Sequence, residues 1–261
     1  MSDRPVTEVA VAVVIDPQSG KFLLGSRPEG KPYAGYWEFP GGKLEKGESV
    51  HEALVRELRE ELDLTITDSV SWFVMEHDYP HAYVRLHFRR SWAFSGTPKA
   101  LENQTFCWCT AEDTGTLAAM KLLPMDALVI SRIALPAVLA VPESSAGLTK
   151  AADFVRHTKG AAFLAEDDTA LQFVAEKGLP VVDLRETGCW AATDAEADEA
   201  AADGVTYALC VNPGTDLVSH HRNRLPLYVE GSPETLTESL RAGAHGVYCR
   251  FYSLSFFSSA A

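Results

Sequence analysis

Apolar and polar positions follow two different rhythms along this chain. Over the first half, short β-branched and aromatic runs are separated by turn residues, as in an antiparallel sheet. TEVAVAVVID (7–16) and KFLLGSR (21–27) flank a DPQSG turn and predict a hairpin. SWFVMEHDY (71–79), AYVRLHFRRSWAF (82–94) and TFCWC (105–109) predict further strands. Between these runs, Glu48 to Leu62 contains no Pro or Gly and repeats Val50, Leu54, Leu58 and Leu62 every four residues, which predicts an amphipathic helix. TAEDTGTLAAMKLLPMDALVISRI (110–133) predicts a short polar helix, a turn at Leu123-Pro124 and a closing helix.

From about Ala134 short apolar runs alternate with Ala-rich helical stretches. LPAVLAV (135–141), AAFLA (161–165), LPVVDL (179–184), GCWAA (188–192), VTYALCV (205–211), LPLYV (225–229) and HGVYCRF (245–251) predict strands, with helices such as LTKAADFVRHT and TALQFVAEK between them. That alternation implies a parallel sheet or barrel. The tail SLSFFSSAA carries no readable pattern. The expected fold class is α/β in two domains, 1–133 and 134–261, in keeping with a length of 261 residues.

Composition narrows the function. Hydrophobic residues at 46% and charged residues at 23% fit a globular protein, and no apolar run approaches the roughly 18 residues of a membrane helix. The N-terminal stretch is too acidic for a signal peptide, so the expected location is cytoplasmic, with no membrane partner. A net charge of −13 argues against nucleic acid as partner but allows a free nucleotide delivered with a divalent cation. Cys107 and Cys109 would face the same way on a strand and are expected to act as small hydrophobes rather than as a zinc pair.

The chemistry gathers in PGGKLEKGESVHEALVRELREELDL (40–64). Glu57, Glu60 and Glu61 stand at i, i+3 and i+4, where like charges repel unless something positive offsets them. Arg56 can neutralise one carboxylate, but not three together with Glu48. A hard cation with oxygen ligands is the natural complement, and Gly41 and Gly42 allow close backbone approach to it or to phosphates.

The spacing Gly42, five residues, Glu48, seven residues, Arg56-Glu57-Leu58-x-Glu60-Glu61-x-x-Leu64 resembles the Nudix hydrolase signature. It departs at Asp63, where the family usually has the glycine that ends the helix in a left-handed conformation; Asp tolerates that conformation at some cost. The resemblance covers the first half and is closest to MutT-type enzymes, through Glu38-Phe39-Pro40-Gly41-Gly42-Lys43. It implies a Nudix α/β/α sandwich with a mixed sheet, and Mg²⁺ (Mn²⁺ as a substitute) held by Glu57, Glu60 and Glu61 with the Gly41 carbonyl. A later acid would complete the metal site or act as base; Glu102 occupies the matching stretch and could equally be a solvated loop acid. Arg27 matches a phosphate-contacting arginine. The implied reaction is hydrolysis of a nucleoside triphosphate to the monophosphate and pyrophosphate, with 8-oxo-dGTP as the expected substrate. The water-activating carboxylate stays open among Glu57, Glu60, Glu61 and Glu102.

MutT-type enzymes read an oxidised guanine with an asparagine after a Pro-Ala pair; here Leu123-Pro124-Met125-Asp126 stands in that stretch. An ionised Asp only accepts hydrogen bonds, so Asp126 is compatible with an N7–H, and it could equally cap the helix starting there. Phe39 and Trp37 could wall the base or belong to the core.

The second half resembles thiamine-phosphate synthase, a TIM-barrel enzyme, through AAFLAEDDTAL, GCWAATDAEADEAAADGVTYALCVNP and LPLYVEGSPETLTESLRAGAHGVYCRF. A barrel of eight βα units needs about 200 residues at minimum, and the unit expected after the first strand is absent. Cys189-Trp190 replaces a catalytic-looking Cys-His pair, and Glu230-Gly231 puts a negative charge where a phosphate would dock. Synthase activity is therefore not expected. His220 and His221 are expected in a solvated loop. Rival readings are hydrolysis of a thiamine-type pyrophosphate and a nucleotide sensor without turnover; intact Glu57, Glu60 and Glu61 argue against the sensor. Oligomeric state is not legible.

Overall fold

Both faces of β1 (Val6–Val14) are apolar, so the strand has to be covered twice. On one side Ala10, Ala12 and Val14 pack with Ala53, Leu54, Leu58 and Leu62 of α1 (Val50–Leu62). On the other, Val11 and Val13 pack with Phe22, Phe39, Val129 and Ile130, the last two on α3 (Pro124–Ile133). The result is an α/β/α sandwich. Its sheet is mixed: β1 runs parallel to β6 (Ala82–Ser95) and antiparallel to β4 (Gly41–Lys43), and β5 (Thr65–Tyr79) closes the order β4-β1-β6-β5. A second sheet orders β3 (Trp37–Glu38), β2 (Phe22–Ser26) and β7 (Phe106–Cys109), all antiparallel. A short helix, α2 (Thr114–Ala119), precedes α3. This computed structural model describes residues 4–210 and 225–251. The chain divides into two compact units, Met1–Leu135 and Pro136–Ala261.

Two local expectations are corrected. The hairpin of residues 7–27 survives only as a single antiparallel bridge, Ile15 to Phe22; β1 and β2 then part into different sheets, because each pairs better with strands brought from elsewhere in the chain. Glu48 lies outside the helix. Ser49 is the N-cap, its side chain accepting from the Glu52 N–H while Glu52 reaches back to the Ser49 N–H. This capping box satisfies two backbone donors and fixes where the helix starts. At the other end Asp63 sits at φ 54°, ψ 28°, the left-handed cap foreseen for it, with its N–H donating to Arg59 O and its carboxylate 2.6 Å from Lys99 Nζ.

In the second unit all seven predicted strands form, in one parallel sheet. They are β8 (Val138–Pro142), β9 (Ala161–Ala165), β10 (Val181–Asp183), β11 (Gly188–Ala191), β12 (Tyr207–Cys210), β13 (Leu227–Glu230) and β14 (Gly246–Phe251). Helices α4 (Ser145–His157), α5 (Asp168–Ala175), α6 (Leu184–Thr187), α7 (Asp194–Ala202) and α8 (Leu236–Arg241) link them; α6 was not foreseen. The order β10-β9-β8-β14-β13-β12-β11 leaves its two edges on strands consecutive in the chain, so the sheet is a nearly closed, barrel-like one. The expected gap after the first strand is not where the sheet opens: β8 pairs directly with β9, and the edges are β10 and β11. One face packs Val138, Ala140, Phe163 and Val247 against α4 and α5. Tyr207, Tyr228 and Tyr248, all fully buried, occupy alternate positions that avoid this layer; Tyr228 donates to Pro136 O and Tyr248 to Cys210 O. At the C-terminal strand ends Arg250 pairs with Glu143 and Glu230 and lies over Trp190, whose Nε1 donates to Glu166 at 2.7 Å. His220, His221 and the terminal SLSFFSSAA fall outside the described residues. Among the described residues no helix is long and apolar enough to cross a membrane.

The left-handed cap yields a direct test. Asp63→Gly removes a side chain from a conformation that costs an L-residue roughly 1 kcal/mol, and loses only an exposed ion pair worth less than that. Urea denaturation should show the variant more stable by about 0.5 kcal/mol.

Candidate active site

Burial of the α1 stripe aims the helix's acidic face back over β4. Leu54 and Leu58 are fully buried, so Glu57 and Glu61 emerge mostly covered, with side chains 16% and 18% exposed. Glu60 stands farther out at 61%. Arg56 is the hub. Its Nε and Nη2 each lie 2.9 Å from a Glu48 oxygen, its Nη1 is 2.8 Å from Glu57 Oε1 and 3.5 Å from Glu60 Oε2, and Nη2 also donates to Lys43 O at 3.0 Å. Hydrogen bonds donated to Glu48 and then to Glu57 raise the Arg56 pKa, and the same contact holds the Glu48 carboxyl below its usual range. Arg56 thus serves more carboxylates than the sequence suggested.

Glu102, though distant in sequence, joins this group. Leu101 N–H donates to Glu61 O, and Gln104 donates to the same carbonyl while accepting from the Glu102 N–H, so the loop is tied to the C-terminal end of α1. Lys31 then spans the two acids, its Nζ 2.5 Å from Glu102 Oε2 and 3.4 Å from Glu61 Oε1. Burial, only partly offset by Lys31 and reinforced by Glu102, Glu57 and Glu38, pushes Glu61 up to about 7. Among the described residues no three acidic, histidine or cysteine side chains converge tightly enough to hold an ion as placed; the carboxylates are turned to Arg56 and Lys31 instead. The donor set nevertheless fits a hard divalent cation, since it consists of carboxylates and carbonyls. The space is provided as well. A Cβ on Gly42 would sit 2.1 Å from Glu57 Oε1, so glycine is what lets that carboxylate lie against the β4 backbone.

From these acids a cavity of about 510 Å³ runs to Asp126. Arg27, Lys31 and Lys43 line one end with Glu57 and Glu61; Tyr33, Phe39, Tyr79, His81 and Leu123 line the other. Arg27 is paired with Glu38, whose pKa burial raises against that arginine, and its Nε donates to Pro32 O at 2.6 Å. Trp37 is not part of the lining and packs in the core with Leu122 and Met125, whereas Phe39 does both, packing on Phe22 and facing the cavity. Lys31, Glu38, Tyr33, Tyr79 and His81 were not foreseen; the aromatic-rich KPYAGYWE and HDYPHAY stretches are the only signal for them.

Asp126 departs from expectation in two ways. It does not cap α3, whose N-cap is Leu123 with no side-chain hydrogen bond; its Oδ1 instead accepts the Phe39 N–H at 2.9 Å. Backbone bonds Trp37 N–H to Lys121 O and Leu123 N–H to Trp37 O lay the start of α3 beside β3 and make this contact possible. Complete burial pushes Asp126 up to about 8. Burial thus favours the protonated carboxyl, which can donate a hydrogen bond as well as accept one, unlike an ionised acid.

Two tests follow. Gly41 lies at φ 153° with its would-be Cβ 2.1 Å from Ala10 O, so Gly41→Ala should destabilise the fold by about 2–4 kcal/mol, read by urea denaturation. Gly42→Ala meets only the movable end of Glu57; it should stay within about 1 kcal/mol of the parent and instead weaken Mn²⁺ binding about tenfold. For Asp126 the folded pKa is above the unfolded value of 3.8, so between about pH 4 and pH 8 only the unfolded chain ionises and stability is lost as pH rises. Asp126→Asn removes that loss. Its stability relative to the parent should climb by a few kcal/mol, on the order expected from linkage, from pH 4 to pH 8; a constant difference would exclude a neutral Asp126.

A model of the NUDIX domain matches residues 6–130. Over 131 residues the chain is 40% identical to the CTP pyrophosphohydrolase of Escherichia coli strain K12, spanning 49% of this chain and 95% of that protein. It is 36% identical over 88 residues to the 8-oxo-dGTP diphosphatase of Proteus vulgaris, spanning 34% of this chain and 78% of the relative. A solved structure of MutT, from work on Aliivibrio salmonicida and Vibrio cholerae, is 29% identical, with a TM-score of 0.42 over 49% of this chain and 97% of the other. On the strength of the sequence matches to its N-terminal unit, this chain belongs to the Nudix hydrolase family.

Proposed function

We propose that the N-terminal unit is a Mg²⁺-dependent nucleoside triphosphate pyrophosphohydrolase, active also with Mn²⁺, whose preferred substrate is 8-oxo-dGTP. The observation that carries this reading is one cavity joining a carboxylate cluster to a buried neutral acid. A divalent ion held at the cluster would supply positive charge to the phosphates and lower the pKa of the attacking water. Water attacks the β-phosphorus, the bond from that phosphorus to the α–β bridging oxygen breaks, and the nucleoside monophosphate departs while the attacked end becomes pyrophosphate. Glu57, Glu60, Glu61 and Glu102 with the Gly41 carbonyl are the groups that would hold the ion, and one of the carboxylates takes the proton of the water. Arg56 keeps Glu48 and Glu57 in register. Arg27 and Lys43, on the cavity wall, would meet the phosphates.

At the far end Asp126 can give its proton to O6 and accept from the N7–H that oxidation creates, with Phe39, Tyr33 and Tyr79 as apolar walls. A second reading, CTP, is favoured by the 40% identical relative and by the same acid, since a neutral carboxyl also matches cytosine N3 and N4. The C-terminal unit is read as a barrel-like partner related to thiamine-phosphate synthase but without its chemistry, because Glu230 and Glu166 stand at the strand ends where a phosphate would approach. The substrate is a free nucleotide rather than a nucleic acid, in a cytoplasmic setting.

The test is product release from 8-oxo-dGTP, dGTP, CTP and thiamine pyrophosphate with Mg²⁺, reading pyrophosphate and phosphate separately. Pyrophosphate from 8-oxo-dGTP with kcat/KM about tenfold or more above dGTP and CTP is expected. Glu57→Gln should lower kcat by about 100-fold or more. Preference for CTP would select the second reading. Phosphate from the thiamine ester alone, or silence on every triphosphate, would defeat the proposal.

A further inference from the structure

The two cations among these carboxylates are held very differently. Arg56 makes hydrogen bonds to Glu48, Glu57, Glu60 and Lys43 O and is only 24% exposed, so it is a fixed part of the framework. Lys31 makes two contacts, to Glu102 and Glu61, and is 44% exposed. Among the described residues it is the cation that those two acids share.

The backbone carrying Lys31 is pinned on either side. Arg27 N–H donates to Tyr36 O and Gly35 N–H to Arg27 O, at 2.7 and 2.9 Å. Tyr33, at φ 60°, sets its ring against Tyr36, Tyr79 and His81, with centroids 5.4, 5.6 and 5.8 Å away. The loop therefore holds its course while the four-carbon stem of Lys31 can swing. Lys31 lines both the small recess beside Glu61, Glu102 and Gln104 and the 510 Å³ cavity, so the cavity is within reach of its ammonium once it parts from the acids.

We propose that Lys31 is a tethered counter-ion that stands between Glu61 and Glu102, must leave before they can take a divalent ion, and then serves as a phosphate contact at the cavity rim. The inference rests on the reading of Glu61 and Glu102 as ion-holding groups. Its physical basis is competition: a compact ammonium is a mobile point charge, whereas the guanidinium of Arg56 is a rigid fork with several acceptors. One positive charge yields to two at the same pair of carboxylates. The ion site is thereby weakened in the resting protein, and the released ammonium adds to substrate affinity.

The test is Mn²⁺ titration of the full chain without nucleotide, following free Mn²⁺ by electron paramagnetic resonance. Lys31→Gln should bind Mn²⁺ about tenfold more tightly, the order expected when one unit charge a few ångström away is removed in a partly solvated site. Lys31→Arg keeps the charge and should stay near the parent. Lys21→Gln, the same charge change at an exposed position outside the cavity lining, should have no effect. At saturating Mg²⁺ the Lys31→Gln protein should show a several-fold higher KM for the triphosphate. Measurable but equal Mn²⁺ affinities, equal tightening in Lys21→Gln, or tighter Mn²⁺ with an unchanged KM would each overturn this inference alone. No Mn²⁺ uptake by either protein would overturn it together with the ion-site reading.

Discussion

Mutual repulsion among Glu48, Glu57, Glu60, Glu61 and Glu102 is the constraint around which the N-terminal unit is organised. Carboxylates this close repel one another and push their helix toward unfolding unless a positive charge lies among them. The fold resists through the apolar side of α1: Ala53, Leu54, Leu58 and Leu62 are sealed against β1, each large side chain contributing about 1.5–3 kcal/mol of burial. The capping box at Ser49 and the left-handed cap at Asp63 fix both helix ends. Arg56 and Lys31 then neutralise part of the charge. A helix so anchored can keep an acidic face that would be unfavourable on an isolated peptide.

The opposite end of the cavity follows a different logic. There the fold removes water instead of adding charge, and burial favours the protonated form of Asp126, which is tied to the Phe39 N–H. One cavity thus offers a strongly polar, cation-seeking end and an enclosed aromatic end. This division matches the two parts of a nucleotide, a phosphate chain and a base. Glu38 and Arg27 form an ion pair on the cavity wall.

The C-terminal unit is built on a separate principle. Among the described residues parallel strands alternate with helices, and Tyr228 and Tyr248 satisfy their buried hydroxyls on backbone carbonyls. At the strand ends where parallel sheets commonly bind ligands, Arg250 is already engaged by Glu143 and Glu230 and stacked on Trp190.

The sequence by itself determined the local matters. The four-residue stripe of α1, the spacing of its acids, the seven strands of the C-terminal sheet and the cost absorbed at Asp63 were all legible, because each depends on neighbours within a turn or a strand. Tertiary structure decided what depends on distant partners. The apparent hairpin of β1 and β2 split because β6 and β4 compete for β1 and β7 and β3 for β2. Glu102 reaches the acidic cluster through long-range bonds that tie its loop to the end of α1, from Leu101 N–H and Gln104 to Glu61 O. The charge state of Asp126 is set by desolvation, and Lys31 is placed between two acids by the path of a long loop. Neither effect has a sequence period, since burial and electrostatic proximity exist only after the chain has packed.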